Sequence, residues 1–147
     1  MMGRTHAFTG LFVGLIFAST LNTSLVDKFL IVLITIFASL LPDIDSPKST
    51  LGRKIKIIAV LSKHRGVMHS IIPLLGIYLL VNYFVGFNYA FAFATGFASH
   101  ILLDLITKEG IHFWPTGIKI RGPVRVGGFL EYIFLLGQIL LMVLFFT

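Results

Sequence analysis

The chain has 147 residues, 56% hydrophobic and only 12% charged, with no cysteine. A water-soluble domain carries about twice that share of charge, so an ordinary soluble enzyme is excluded, and without thiols so are disulfides and thiolate metal sites. The net charge of +6 would suggest nucleic acid for a soluble protein. In a chain this apolar it speaks first to membrane orientation, and no direct nucleic-acid binding is expected.

Five apolar stretches follow in chain order: Ala7–Leu21, Val26–Leu41, Ile71–Phe87, Tyr89–Ile106 and Phe129–Phe146. Each approaches the length that crosses ~30 Å of hydrocarbon as a helix, the first two with help from their flanks. The first stretch, after Arg4 and ending near Ala18 and Ser19, also fits a signal peptide. Four further stretches and a histidine at position 6 favour its retention. Gly10 and Gly14 within it have the spacing that lets helices approach closely, inside one chain or between chains.

The connections sort by charge. Arg4 precedes the first stretch, and the segments 42–70 and 107–128 hold every other basic residue except Lys28. The positive-inside rule therefore predicts a cytoplasmic N-terminus, two long cytoplasmic loops and an external C-terminus. The expected fold is all-α, an integral membrane bundle of five transmembrane helices forming one domain, 1–147, in the cytoplasmic membrane. Within the first long loop, "GRKIKIIAVLSKH" reads either as a short helix on the anionic leaflet or as an orientation signal alone.

The ionisable residues are not scattered. His6 opens the first stretch, and Asp43 and Asp45 close the second in "LPDIDSP". His64 and His69 precede the third in "HRGVMHS". His100 and Asp104 lie in the last turns of the fourth, followed by Glu109 and His112, and Glu131 opens the fifth. Only Asp27 falls on the other side. On this topology all five helices deliver imidazoles or carboxylates to one depth. His100 and Asp104 are four apart and share a helix face. An ionisable group inside a span costs roughly 2.5–3.5 kcal/mol even on the lenient insertion scale, so it faces protein and has a partner. Histidine with carboxylate suits Zn, Mn or Fe. The metal ligands expected are His6, Asp45, His64, His69, His100 and Asp104, with His69 in the first turn of its helix. Asp43 or Asp45 could accept a proton. Glu131 stands as a ligand, a base, or an acid favourable at a helix N-terminus. Arg65, Arg121 and Arg125 are candidates for holding an anionic substrate. Phe113 and Trp114 read as interface anchors.

Taken together, "TH", "LPDIDSPKS", "HRGVMHS", "GFASHILLDLITKEGIHFWP" and "GGFLE" resemble the YdjM-like family, known as LexA-binding, inner-membrane-associated, metal-dependent hydrolases. The resemblance covers nearly the whole chain. It implies that His6, Asp43, Asp45, His64, His69, His100 and Asp104 occupy that family's polar motif positions. The chain order of these residues is also similar to that of the zinc-dependent phospholipase C and P1-type nuclease group. That likeness implies that Asp104 bridges two ions, with His100, His69 and an aspartate on one and His6 on the other. The later His-x-x-x-Glu pair of that group is missing, which speaks against a third metal.

The function expected is a membrane-embedded hydrolase of the phosphodiesterase, phospholipase or phosphatase kind. It would use one or two divalent ions, Zn first and Mn or Fe next, on an anionic, lipid-linked phosphate presented at the cytoplasmic leaflet. The alternatives are a non-enzymatic metal binder or transporter, and a membrane scaffold for a cytoplasmic protein partner. Transport sites lie near the bilayer midplane, whereas these ligands gather at one end.

Overall fold

Serine side chains mark where two of the apolar stretches become helices. In the computed structural model, which describes residues 1–46, 67–113 and 118–147 and leaves the side chains of Asp45, Val67, His112 and Phe113 outside that description, five α-helices form. They are α1 (Gly3–Thr20), α2 (Leu25–Leu40), α3 (Ile71–Phe84), α4 (Phe87–Leu105) and α5 (Phe129–Phe146). Ser24 caps α2 by accepting the Asp27 N–H at 3.1 Å, and Ser70 caps α3 by accepting the Ile72 N–H at 3.4 Å. The Ser70 cap corrects one expectation. His69 ends a short 3₁₀ turn, Val67–His69, before α3 rather than inside its first turn.

α1, α2 and α4 pack most closely, because small residues meet at their crossings. A Cβ on Gly10 would stand 2.5 Å from Ser39 Oγ, and one on Gly14 would stand 3.1 Å from Thr35 Cβ. A Cβ on Gly96 of α4 would collide with the Thr35 carbonyl oxygen. The Gly10–Gly14 spacing is thus used within the chain, against α2. Two apolar clusters fill the remaining space: Ala18, Ile31 and Ala92 toward one end, and Ala38, Phe93 and Phe97 toward the other. α3 lies against α4 and buries no residue fully. α5 buries only Glu131 and Gln138; Gln138 Nε2 donates to Thr9 Oγ1 of α1 at 2.9 Å.

The segment 107–128, expected as loop, contains a small antiparallel sheet. β1 (Ile111–Phe113) pairs with β2 (Ile118–Ile120), Ile111 facing Ile120 and Phe113 facing Ile118. The chain then returns along the end of α4: the Val124 N–H donates to the Ile106 carbonyl at 3.0 Å, and the Lys108 N–H to the Val124 carbonyl at 2.8 Å. Gly110, at φ +64, makes the entry turn, where a side chain would collide with the Ile120 carbonyl.

Length and composition suit membrane crossing in two helices among the described residues, Leu25–Ile44 and Phe129–Phe146. The other three fall short of that measure for physical reasons. α3 has 14 residues. α1 and α4 carry the polar groups, including Thr5, His6 and Thr9 on α1 and Ser99, His100 and Asp104 on α4, all buried. The amphipathic segment expected around Ile55–Leu61 lies outside the described residues.

Candidate metal centre

α2 ends in a way that prepares a site. Its helix gives way at Leu41 to a 3₁₀ turn, Leu41–Asp45, with Pro42 in the first positions. Proline has no N–H. In the 3₁₀ register it is residue 42 that would donate to the Ser39 carbonyl, and it cannot. His100 takes that role: its Nδ1 lies 2.7 Å from the Ser39 carbonyl oxygen. A carbonyl only accepts, so Nδ1 carries the proton and Nε2 presents its lone pair. This is the tautomer and orientation that metal-ligating histidines adopt. His100 is fully buried, and its Nε2 has no hydrogen-bond partner among the described residues.

Around that lone pair, Asp43 Oδ1 stands at 3.7 Å and Asp104 Oδ2 at 3.8 Å. His69 Nε2 stands 3.8 Å from the same Asp104 oxygen. Asp43, His69, His100 and Asp104 each present one donor atom, and all four atoms lie within 4.8 Å of one another. Donors in a tetrahedral set around a zinc-sized ion with bonds of 2.0–2.2 Å stand roughly 3.3–3.6 Å apart. The four therefore fit one ion after small side-chain rotations. The other oxygen of Asp104 faces a different group: His6 Nε2 lies 3.3 Å from Oδ1, and the Met1 nitrogen also contacts that oxygen. The His6 and His100 rings stack with centroids 3.8 Å apart and planes 15° from parallel. The His69 ring meets His100 edge-on at 5.2 Å. Two imidazoles packed face to face beside a third are favourable when neutral and costly when all are charged, which again suits ligands of a cation.

His69 and Asp104 are almost fully buried, while the Asp43 side chain keeps 18% of its surface. Access from that side therefore passes Asp43.

The structure brings together His6, Asp43, His69, His100 and Asp104. Asp45 belongs to the same 3₁₀ turn, but its side chain lies outside the described residues, as do His64 and Arg65 altogether. Arg121 and Arg125 are exposed in the return segment after β2. Glu131 stands apart from the four-residue group. Its Oε1 accepts the Thr5 hydroxyl at 2.6 Å and the Met2 N–H at 2.7 Å, and its Oε2 accepts the Gly127 N–H at 2.7 Å. From sequence Glu131 was open as a ligand, a base or an acid favourable at a helix N-terminus; it lies in the first turn of α5, and its contacts, which the sequence reading did not foresee, fasten the start of α5 to the start of α1, one residue from His6. Sequence reading missed Ser39, whose contribution is a main-chain oxygen. The signal that could have found it is the proline three residues later.

Comparison with known proteins bears on what surrounds this centre. The family described as YdjM inner membrane protein matches residues 1–146. The inner membrane protein YdjM of Escherichia coli is 36% identical over 111 residues, covering 68% of this chain and 57% of its own length. The uncharacterized protein YvsG of Bacillus subtilis is 32% identical over 107 residues, covering 67% of each chain. This chain thus spans little more than half the length of the Escherichia coli relative it matches. No solved structure matches it.

Proposed function

The chain belongs to the YdjM family of inner membrane proteins, and from that premise we propose that it is a multi-pass membrane metallohydrolase that cleaves a phosphoester of a lipid-linked substrate at the cytoplasmic leaflet. All five helices cross or enter the bilayer in this reading, with the N-terminus cytoplasmic. The gathering of all basic residues but Lys28 on one side supports that orientation. α1 and α4 tolerate their polar groups because these face protein and one another rather than lipid.

The observation that carries the proposal is the buried His100 Nε2, aimed by the Ser39 carbonyl into a cluster with His69, Asp43 and Asp104. Those four residues would hold the ion, with Asp104 offering its second oxygen toward His6. A divalent ion there supplies Lewis acidity, making water a nucleophile near neutral pH and offsetting charge on a phosphoryl oxygen. The chain's own groups do the rest. Asp43, partly open to the outside, is placed to accept the proton from the attacking water on the oxygen it does not offer to the ion, and Asp45 on the same turn is the second candidate. His6, on the far oxygen of Asp104, can hold that carboxylate in position or help bind a second ion. Arg121 and Arg125 raise the local concentration of an anion without touching the reacting atoms.

The test is elemental analysis of the full chain purified in detergent, run beside phosphate release from phosphatidic acid and lipid pyrophosphates. Stoichiometric zinc, manganese or iron, together with release that disappears in H100A, is the expected result. Metal-free protein after purification without chelators, or release unchanged in H100A, overturns the proposal.

A further inference from the structure

A cavity of about 230 Å³ lies between α3 and α4. Its walls are Leu74 of α3 and Ala98, Ile101 and Leu102 of α4, and one end is formed by His69 and Ser70. Among the described residues, His69 of the ligand cluster thus stands at one end of a furrow whose other walls are hydrocarbon. The furrow opens sideways: Ile71 and Leu102 at its rim are 59% and 62% exposed, continuous with the apolar outer surfaces of both helices. Leu74 lies at the end of the first turn of α3, beyond His69 and the capping Ser70, so the furrow runs from the depth of the cluster toward the opposite end of the bundle.

We propose that this furrow holds one acyl chain of a phosphate-bearing membrane lipid, with the headgroup delivered to the end marked by His69. The proposal rests on the hydrolase reading above and names the substrate class for that site. Three physical points favour a hydrocarbon tail. A helix about 10 Å across displaces more volume in one turn than this cavity of about 230 Å³ holds. A strand or loop of polypeptide would leave its N–H and C=O groups without partners along apolar walls. A tail has no such groups, and burying it there removes apolar surface from contact with the polar end while its headgroup remains among the imidazoles.

The experiment uses the full chain in vesicles of phosphatidylcholine with a few per cent phosphatidic acid bearing a mid-chain diazirine. After illumination, labelled peptides are mapped by mass spectrometry, and metal content is measured on the same preparation. Label concentrated on Leu74, Ile101 and Leu102, and reduced about fivefold or more in A98F, where the new ring fills a pocket of this size, is the expected result. Label spread evenly over the exposed faces of α3 and α5, or unchanged in a folded A98F, overturns the furrow. If A98F does not fold, the wild-type map alone separates concentrated from evenly spread label. Crosslinking needs neither metal nor turnover, so a missing furrow label with metal bound defeats this inference alone. A metal-free protein with a well-labelled furrow defeats the hydrolase reading instead.

Discussion

Asp104 and Glu131 are both buried carboxylates near the same end of the bundle, and the main chain at Met1 and Met2 touches one and then the other. Their surroundings differ in kind. Glu131 is met by two backbone N–H groups and a hydroxyl, all between 2.6 and 2.7 Å; these donors neutralise it without a cation, as in a well-made cap. Asp104 is met by the Met1 ammonium on one oxygen and by imidazole Nε2 atoms of His6, His69 and His100 at 3.3 to 3.8 Å. Of these, His100 cannot donate from Nε2, because its proton is held by Ser39. A lone pair such as that of His100 Nε2, brought up to a carboxylate, makes sense around a positive ion and poorly without one. A third carboxylate, Asp27 at the other end, sides with Glu131: Tyr89, Thr23 and Ser24 all give it hydroxyl donors.

Replacing each carboxylate by its amide should separate the two kinds, and the largest effect is expected at Asp104. Asp104→Asn removes a charged ligand from the centre of the cluster, so metal affinity should fall by at least about 100-fold and phosphate release should vanish. Elemental analysis and equilibrium dialysis against zinc read this directly. Glu131→Gln should behave in the opposite way. It keeps the shape but weakens three charge-assisted hydrogen bonds, so stability should fall by about 2 kcal/mol. Metal binding should stay within a few-fold of wild type. Thermal unfolding in detergent, followed by tryptophan fluorescence and circular dichroism, measures the first quantity. Equal metal loss in both variants would erase the distinction between the two regions.

A smaller effect tests how the lone pair of His100 is aimed. Pro42→Ala restores an N–H that can claim the Ser39 carbonyl, in competition with His100 Nδ1. Support of this type around a ligating histidine is worth roughly tenfold or more in metal affinity. Pro42→Ala should therefore weaken zinc binding by about that factor, with little change in thermal stability. An unchanged affinity would mean that packing around the ring, not the Ser39 carbonyl, fixes its orientation.

The contrast between the two carboxylates also explains what the sequence could and could not reveal. Polar residues embedded in apolar runs are expensive, so His6, Asp43, His69, His100 and Asp104 stood out against their neighbours, and orientation by basic residues assigned them to one depth. The five helices were legible for the same reason, from runs bounded by Pro42, Ser70, Gly86 and Gly128. Glu131 was ambiguous because two of its three donors are main-chain N–H groups, which no residue type advertises. The pairing of β1 with β2 was hidden too. Ile111 and Ile118–Ile120 flank Phe113 and Trp114, which read as interface anchors, and three-residue strands have too little period to identify. The proposed membrane crossing of α1 and α4 is the hardest case. The histidines that mark the centre also reduce the apolar character by which a span is recognised, so one set of residues strengthens the reading of the site and weakens that of the membrane segment.

The mildest test concerns Asp27, and it fixes the far end of the comparison. Tyr89→Phe deletes one of three hydroxyl donors to Asp27 and leaves Thr23 and Ser24 in place. Because this carboxylate sits at the half-open end of α2, water can replace the lost donor. The melting temperature should therefore fall by less than in Glu131→Gln, and metal content should not change. A loss of metal in Tyr89→Phe would be the informative failure. It would mean that α4, which carries Tyr89 near its start and His100 and Asp104 near its end, passes a shift at one end to the cluster at the other. The Asp27 contact would then set the register of that helix against α2, where Gly96 lies on the Thr35 main chain and leaves no room for sliding without repacking.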